Sequence, residues 1–335
     1  MHPLTKCLLE KQTLKFNKDG TFKIIQFADI HWESTGEELD EYDQKTRLVM
    51  EKLLSIEKPD LIVFTGDIMT SGRKSPVRYS KSVADVKEAL GIILKPVLDV
   101  KIPWAFTLGN HEHCHAVDVP TLLKSFVKMP MCLMKLNKSK KVGLANYLLK
   151  INGASDKKDK WILYFIDSGC KYNYPKKSYG WVERKQVEWY AKQSKRISKK
   201  NKRFVPALAF FHIPLPEFEE VWNNQICYGL KGEKVSCPVL NTGFFSEMVL
   251  NRDVKGVFVG HDHCNDYMGN LYGIELCYGR TTGHRMHKDN TFVLGARVIL
   301  LNEKDEDFDT WIRLEDGTII KQNICDTNID MTIIK

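Results

Sequence analysis

The sequence predicts an α/β protein, and three observations support that fold class. Strand-like apolar runs alternate with amphipathic helical segments in the first third of the chain, and strand-like runs return in the last third. Hydrophobic residues make up 43% of the 335 residues, which is enough for a large buried core. The links between the early elements are short, so their strands are predicted to be parallel and joined by right-handed crossovers.

Three strand-like runs and two helical segments make up the first third of the chain. The runs are FKIIQFA (22–28), LIVFTG (61–66) and WAFTLG (104–109). Between them, the segments 43–56 and 81–99 carry apolar residues at helical spacing. LIVFTG is an unbroken apolar run of the length that is typical of a strand buried on both faces.

The rest of the chain is predicted to contain two helices, two hairpins and further strands. The helices lie at about 120–128 and 181–197, and the first hairpin joins 146–151 to 161–167. Strand-like runs follow in ALAFFH, GVFVG, YGIELCYG and GARVILL. The segment FDTWIRL-EDG-TIIK is typical of a closing hairpin.

The chain as a whole predicts one domain without a membrane span. No repeat or flexible linker interrupts it, so a single domain is predicted over 22–335, after an N-terminal extension at 1–21. No run of about 18 uncharged apolar residues occurs, so no transmembrane segment is predicted. The N-terminus has no apolar run of signal-peptide length, which favours a cytoplasmic protein. A secreted mature form whose signal peptide has been removed is the alternative.

The charge and the cysteine content indicate which partners and which redox compartment to expect. The net charge is +8, but no aromatic residue interleaves the lysine-rich runs at 138–141 and 195–203. Solvated loops are therefore favoured over a nucleic-acid surface. The nine cysteines are scattered and form no CxxC pair, which predicts reduced thiols. Cys227 and Cys237 flank a polar loop and would pair only in an oxidising compartment.

Residues of metal-binding type follow five of the strand-like runs. In chain order they are Asp29 and His31, then Asp67, then Asn110, His111 and Glu112, then His212, then His261 and His263. Binding sites in α/β sheets gather at the carboxyl ends of strands, so these residues are predicted to converge. Carboxylates, a carboxamide and imidazoles suit Zn²⁺ and transition metals. The sequence therefore predicts a site for two metal ions.

The spacings agree with this prediction. Residues i and i+2 of an extended segment point the same way, so Asp29 and His31 can bind one ion together. His261 and His263 can do the same at one site or at two. Asp67 stands alone after its strand, and its two carboxylate oxygens can bridge two cations.

Adjacent residues point apart, so Asn110 can bind metal while His111 is left to act on the substrate.

The ordered motifs D-x-H, G-D, G-N-H-E, H and G-H-x-H resemble those of the calcineurin-like metallophosphoesterase superfamily. Further stretches, including KIPWAFTLGNHE, LAFFHIPLPEF and GHDHCNDYMG, resemble the branch with purple-acid-phosphatase-like plant proteins and fungal cell-cycle phosphatases. The likeness runs from about residue 22 to 312. It implies a four-layer α/β/β/α sandwich of two mixed sheets flanked by helices.

The resemblance also implies the metal ligands and the metals. The first ion would take Asp29, His31, Asp67 and His263, and the second Asp67, Asn110, His212 and His261. Purple acid phosphatases place a tyrosine three residues after the bridging aspartate, where this chain has Thr70. Two divalent ions (Mn, Fe, Zn or Mg) are therefore expected, rather than a ferric centre with a tyrosine ligand.

The activity so implied is hydrolysis of phosphomonoesters, of small molecules or of proteins, by attack of a metal-bound hydroxide. Asp67 and His111 would be catalytic, with His111 as the non-ligating acid and Glu112 or another carboxylate fixing its tautomer. Asn110, His111, His113 and Arg280 are predicted to contact the substrate. His115, next to the site, and His284 and Arg285, at the cleft rim, are further candidates.

Two other functions remain compatible with these residues. The same metals would serve a phosphodiesterase or nuclease. A non-catalytic scaffold that keeps the fold to bind partners is the second alternative, although all the ligands are present. No nucleic-acid partner is expected, and the expected partner is a phosphorylated small molecule or a phosphoprotein.

Overall fold

The structure is a computed structural model that describes residues 13–322, apart from 37, 116, 140, 174–176 and 287–291. The strands, numbered in chain order, are β1 (Leu14–Lys15), β2 (Thr21–Phe27), β3 (Leu61–Phe64), β4 (Trp104–Phe106), β5 (Tyr147–Asn152), β6 (Asp159–Phe165), β7 (Lys171–Tyr172), β8 (Ser178–Tyr179), β9 (Ala207–Phe210), β10 (Cys227–Tyr228), β11 (Val254–Val259), β12 (Met268–Leu271), β13 (Ile274–Tyr278), β14 (Gly295–Asn302), β15 (Phe308–Leu314) and β16 (Ile319–Lys321).

The α-helices are α1 (Glu41–Glu57), α2 (Val83–Ile93), α3 (Lys95–Val100), α4 (Val119–Phe126), α5 (Arg184–Asn201), α6 (Glu217–Asn224) and α7 (Phe244–Asn251). Short 3₁₀ helices lie at Gly72–Lys74, Glu112–Cys114 and His284–Met286. Within the described residues, no helix combines the length and apolarity needed to cross a membrane.

One large sheet has the strand order β16-β15-β14-β2-β3-β4. The strands β2, β3 and β4 are parallel, as predicted from their alternation with helices. The strand β14 runs antiparallel to β2, and the predicted hairpin of β15 and β16 completes the sheet. All four residues of β3 are buried, as expected for a central parallel strand.

The second large sheet has the order β1-β5-β6-β9-β11-β13-β12-β10. Its centre, β6-β9-β11-β13, is parallel, and the predicted hairpin of β5 and β6 lies beside it. Residues Leu14–Lys15, from the predicted N-terminal extension, form an edge strand parallel to β5. The boundary of the domain stays a prediction.

The two sheets pack face to face with helices outside, which confirms the predicted four-layer class. Phe258 of β11 contacts Phe308 of β15 across the interface, with ring centroids 5.5 Å apart. The buried Gln26 side chain of β2 donates a hydrogen bond to the Val259 carbonyl of β11 at 3.0 Å. These contacts join one sheet to the other and fix how their strand ends meet.

The predicted helix at 81–99 is wrong as one continuous element. The helix α2 begins with a capping box between Ser82 and Asp85, and the regular helix stops at Leu94 before α3 begins. Pro96 lacks a backbone N–H and cannot donate to the Ile92 carbonyl, so the continuous helix breaks here, and proline instead occupies the first turn of α3.

Candidate metal centre

The carboxyl ends of β2, β3 and β4 meet those of β9 and β11 where the two sheets abut. Asp29, Asp67 and Asn110 follow strands of the six-stranded sheet. His212 and His261 follow strands of the eight-stranded sheet. Four residues at these ends have left-handed backbone: Asp29 (φ 54°), His31 (φ 52°), Asp67 (φ 49°) and His261 (φ 80°). Non-glycine residues rarely adopt this conformation, and such strain gathers at functional sites.

The first group of donors is Asp29, His31 and His263, with one donor atom from each within 4.8 Å of the others. The Nε2 atoms of His31 and His263 are 3.1 Å apart. His263 Nε2 lies 3.7 Å from Asp29 Oδ1. The Asp29 carboxylate also accepts the backbone N–H of His261 at 3.0 Å, which ties the two strand ends together.

The second group is Asp67, His212 and His261. His212 Nδ1 is 2.7 Å from the Thr65 carbonyl, which can only accept a hydrogen bond, so Nδ1 carries the proton. Nε2 is therefore the nitrogen that can present a lone pair to a cation. That Nε2 lies 3.2 Å from Asp67 Oδ2, from Asn110 Oδ1 and from His261 Nδ1.

Asp67 occupies the centre of the arrangement. Its Oδ2 lies 3.2 Å from His212 Nε2 and 3.7 Å from His31 Nε2, so it faces both groups of donors. Its Oδ1 accepts the backbone N–H of His111 at 2.8 Å. This position is the one that a bridging carboxylate requires.

These residues fit a pair of divalent cations. Burial lowers the pKa of His31 and of His261 well below the usual range, which favours neutral rings. Burial opposes the charged ring of His212, but the charge of Asp67 outweighs it and raises the pKa of His212 to about 10, so a bound cation would displace that proton. The imidazole nitrogens that face each other at 3.1–3.2 Å would then present lone pairs to a common point. Together with two carboxylates and an amide oxygen, they form the donor set that Zn²⁺ and other divalent transition ions prefer.

His111 stands at the mouth of the centre. Its side chain is 32% exposed, and Nε2 lies 3.9 Å from Asp67 Oδ2. Its ring meets that of His31 edge to face, with centroids 4.8 Å apart. Donor atoms of His31, Asp67 and His111 form a third group. His111 therefore lies between the donors and solvent.

Glu112 has a different role from the one predicted. It does not fix the tautomer of His111, because its buried carboxylate accepts four backbone N–H groups. They belong to Asp67 (2.9 Å), Ile68 (2.9 Å), Met69 (3.2 Å) and Gly109 (2.8 Å). His111 Nδ1 is buried and has no hydrogen-bond partner among the described residues. Glu112 thus holds together the two loops that carry Asp67 and Asn110.

The prediction that Arg280 contacts the substrate is wrong. Its side chain is 3% exposed, donates to Asp266 Oδ2 at 2.6 Å and to the Val293 carbonyl at 2.7 Å, and so is not at the cleft rim. Arg285 is likewise held by ion pairs with Glu33 and Asp43. A guanidinium committed to buried carboxylates is not available to a phosphate ester.

The other candidate histidines also have protein partners. His284 pairs with Glu315 at 2.9 Å, and His115 Nδ1 lies 2.7 Å from Ser75 Oγ. His113 Nε2 lies 2.8 Å from Asp167 Oδ1. Burial opposes the charged ring of His113, but the bond to Asp167 outweighs it and raises the pKa of His113.

Thr70, which replaces the tyrosine of purple acid phosphatases, does not face the donors. Its hydroxyl donates to the carbonyls of Trp32 and Lys74, at 3.2 and 3.0 Å. Cys227 and Cys237 are both free thiols in the structure.

Sequence reasoning missed the hairpin of β7 and β8 beside the second group of donors. The ring of Tyr179 meets His261 edge to face at 4.3 Å, and Lys171 Nζ lies 5.2 Å from the Tyr179 ring centre. Two-residue strands give no periodic signal, so the sequence carried no mark of this element.

A family model for calcineurin-like phosphoesterases matches residues 22–265. The chain belongs to this family. Among the similar proteins of this calcineurin-like phosphoesterase is the "probable inactive purple acid phosphatase 29" of Arabidopsis thaliana. The two are 33% identical over 342 residues, which cover 92% of this chain and 86% of the relative. Phosphatase DCR2 of Saccharomyces cerevisiae is 32% identical over 339 residues, 90% of this chain and 55% of the yeast protein.

The solved structure of a dimetal phosphatase from Danio rerio shares the fold. It superposes on this calcineurin-like phosphoesterase with a TM-score of 0.58 at 13% identity, over 90% of this chain and 98% of that one. The resemblance inferred from the motifs and the predicted fold class are therefore both confirmed. Family membership and the groups of His and Asp donors together indicate a site for two divalent metals.

We expect Gly109→Ala to lower metal content and stability. A Cβ at Gly109 would overlap Oδ1 and the backbone nitrogen of Asp67, so the central carboxylate would have to move. Such overpacking costs about 1–3 kcal/mol. Thermal unfolding and metal analysis of the purified variant measure both effects. Gly91→Ala is the matched control, because a Cβ there meets no atom within 4 Å, and equal losses in both variants would contradict the argument.

Proposed function

We propose that this protein is a dimetal-dependent phosphatase that hydrolyses phosphomonoesters of small molecules or proteins. The observation that carries the proposal is the convergence of the seven predicted metal ligands, with Asp67 at their centre and the partly exposed His111 beside them. Family membership supports the wider class of phosphoric ester hydrolase. The preference for monoesters is the finer part of the proposal.

The proposed ligands would hold two cations. Asp29, His31 and His263 would hold one cation, Asn110, His212 and His261 the other, and Asp67 both. When bound, the two ions supply positive charge for the phosphoryl oxygens and lower the pKa of a water molecule. Asp29 and Asp67 accept backbone N–H groups and His212 is bonded to the Thr65 carbonyl, so these side chains would hold the charge in place before the substrate arrives.

His111 would protonate the leaving oxygen or stabilise the charge that develops on it. Its partial exposure and its distance of 3.9 Å from Asp67 support contact with a substrate bound at the mouth. Asn110 would contact the phosphate from within the centre. His113, two residues further along the chain, has a side chain that is 20% exposed and remains a proposed substrate contact.

We expect His111→Ala to keep its metals and to lose about a hundredfold in kcat, the lower range for removal of a general acid. Metal analysis and steady-state hydrolysis of p-nitrophenyl phosphate measure the two quantities on one preparation. His284→Ala, which removes a histidine paired with Glu315 outside the donor groups, should leave kcat unchanged. Loss of metal from His111→Ala would instead identify His111 as a ligand.

The leading rival within the family is a phosphodiesterase that uses the same ions. Parallel assays with p-nitrophenyl phosphate and bis(p-nitrophenyl) phosphate, over a range of pH and added divalent ions, separate the two activities. The proposal requires a higher kcat/KM for the monoester. A reversed preference would replace the phosphomonoesterase with a diesterase.

A non-catalytic scaffold is the second rival, and the names of the Arabidopsis relatives favour it, since they call those proteins probable inactive phosphatases. The complete donor set favours catalysis in this chain. Protein shown by metal analysis to hold two ions, yet inactive on both esters, would support the scaffold. Turnover that disappears on chelation and returns with added metal would exclude it.

A further inference from the structure

Two cysteine thiols lie together beside the metal centre. Cys114 Sγ and Cys170 Sγ are 3.1 Å apart, although the residues are 56 positions apart in the chain. Cys114 is exposed and Cys170 is half-buried. A disulfide bond is about 2.05 Å long, so closure by about 1 Å would join the two sulfurs.

The backbones that carry the two thiols are held in this relation by Asp167. Its Oδ1 lies 2.8 Å from His113 Nε2, next to Cys114, and accepts the N–H of Gly169, next to Cys170, at 2.9 Å. One carboxylate oxygen therefore clamps both segments.

Backbone hydrogen bonds hold each cysteine in addition. Cys114 donates its N–H to the His111 carbonyl at 2.9 Å, and the Cys170 carbonyl accepts the N–H of Gly180 at 2.6 Å. The proximity of the sulfurs is thus a consequence of how both segments are anchored, not of one adaptable side chain.

The pair is connected to the predicted metal ligands. The Cys170 thiol donates to the backbone carbonyl of Asn110 at 3.3 Å. Asn110 follows β4 and supplies its side-chain oxygen to the second group of donors, 3.2 Å from His212 Nε2. A change at Cys170 sulfur therefore acts on the backbone of a residue that lines the centre.

We propose that Cys114 and Cys170 form a reversible disulfide when the protein meets a hydroperoxide. The formation of this bond does not depend on the proposed phosphatase activity. Its effect on turnover does rest on that activity.

The hydroperoxide is the only oxidant that this reaction requires. The exposed Cys114 sulfur attacks one peroxide oxygen, the O–O bond breaks, an alcohol or water leaves with a proton, and a sulfenic acid forms. Cys170 sulfur then attacks the Cys114 sulfur, the S–S bond forms as the S–O bond breaks, and the hydroxyl leaves as water with the Cys170 proton. Two electrons pass from the two thiols to the peroxide, and a dithiol reductant reverses the change.

Oxidation removes the hydrogen that Cys170 donates. A disulfide sulfur cannot donate to the Asn110 carbonyl, so this partly buried hydrogen bond is lost. The new bond also ties the loop after β4 to the segment before β7. We expect the displaced Asn110 to weaken transition-state stabilisation by about the worth of one neutral hydrogen bond, which is a reversible decrease in kcat of about three- to tenfold.

The first test is peptide mapping of the full chain after treatment with an equimolar amount of hydrogen peroxide. We expect a peptide pair linked through Cys114 and Cys170 under non-reducing conditions, which disappears on reduction. Cys227→Ser should still form the link, because Cys227 is a free thiol outside the pair. Stable oxidation of Cys114 without a link to Cys170, or a link to another cysteine, would overturn the proposal.

The second test follows activity on the same samples. Wild type and Cys227→Ser should lose and regain turnover with oxidation and reduction, while Cys114→Ser should not respond. Equal inactivation of Cys114→Ser would show that peroxide acts elsewhere, for example on the metal site, and would overturn the coupling to Asn110. If the protein proved inactive on every ester, the peptide map would still decide whether the disulfide forms.

Discussion

Asp67→Asn is expected to purify with little or no bound metal and to lose at least about 10³-fold in phosphatase kcat, because metal charge is worth several kcal/mol to the reaction. Asp67 contributes to two of the three groups of donors, and its Oδ2 faces His212 and His31. The amide of asparagine is uncharged, so its oxygen would bind two cations far more weakly than the carboxylate oxygen that faces both donor groups. Metal analysis and hydrolysis of p-nitrophenyl phosphate measure the two losses.

The control is Asp309→Asn, which makes the same chemical change at an exposed position of β15. It should keep wild-type metal content and rate. Turnover at the wild-type rate by Asp67→Asn would refute the proposed site, whatever its metal content. If Asp67→Asn lost rate but kept its full metal content, Asp67 would contribute to catalysis in addition to binding metal.

The convergence of the proposed donors could be predicted because strand ends leave a local signature in the sequence. An apolar run that stops at a polar residue marks both the strand and the place where its end lies, as with Asp67 after β3 and His212 after β9. Parallel pairing then brings the ends of neighbouring strands together. That argument alone does not reveal that β9 and β11 belong to a second sheet, which followed only from the family resemblance.

Partners distant in the chain could not be predicted. Arg280 next to an apolar run is compatible with a cleft rim, and only the fold reveals Asp266 beside its guanidinium. The same holds for Asp167, which bonds to His113 across 54 positions. Two features, a helix break and a helix start, were marked in the sequence by prolines but were not predicted. Pro96 marks the break between α2 and α3, and Pro216 stands directly before α6, where proline favours a helix start.

Glu112→Ala is expected to destabilise the fold by about 3–5 kcal/mol, the largest stability effect we predict for one side chain. Four buried backbone N–H groups, from two loops, share the Glu112 carboxylate as acceptor. Each buried donor that loses its acceptor costs about 1–3 kcal/mol, and water that enters the cavity would recover a part of the sum. Denaturant unfolding of the metal-free variant and wild type measures the difference.

The environment of Glu112 explains why removing its side chain should destabilise the fold more than removing an ordinary carboxylate. Burial and the charge of Asp67 raise the pKa of Glu112 to about 7, and the backbone donors counter that shift. The carboxylate is thus kept in place by the loop amides that it organises. Glu112→Gln keeps the shape of the side chain, but its NH2 group is a donor that faces backbone N–H groups in need of acceptors. Its free energy of unfolding should therefore lie between those of wild type and Glu112→Ala.

Glu88→Ala, at an exposed position of α2, is the matched control and should change stability by no more than about 0.5 kcal/mol. Because Glu112 joins the loop after β3 to the loop after β4, Glu112→Ala should also weaken metal binding. Within the part of the chain that the structure describes, the Glu112 carboxylate bonds to the backbone of these loops and not to a donor side chain. A variant that unfolds at the wild-type denaturant concentration would show that the two loops are held by something other than this carboxylate. Normal stability with lost metal would instead confine the role of Glu112 to positioning Asp67 and Asn110.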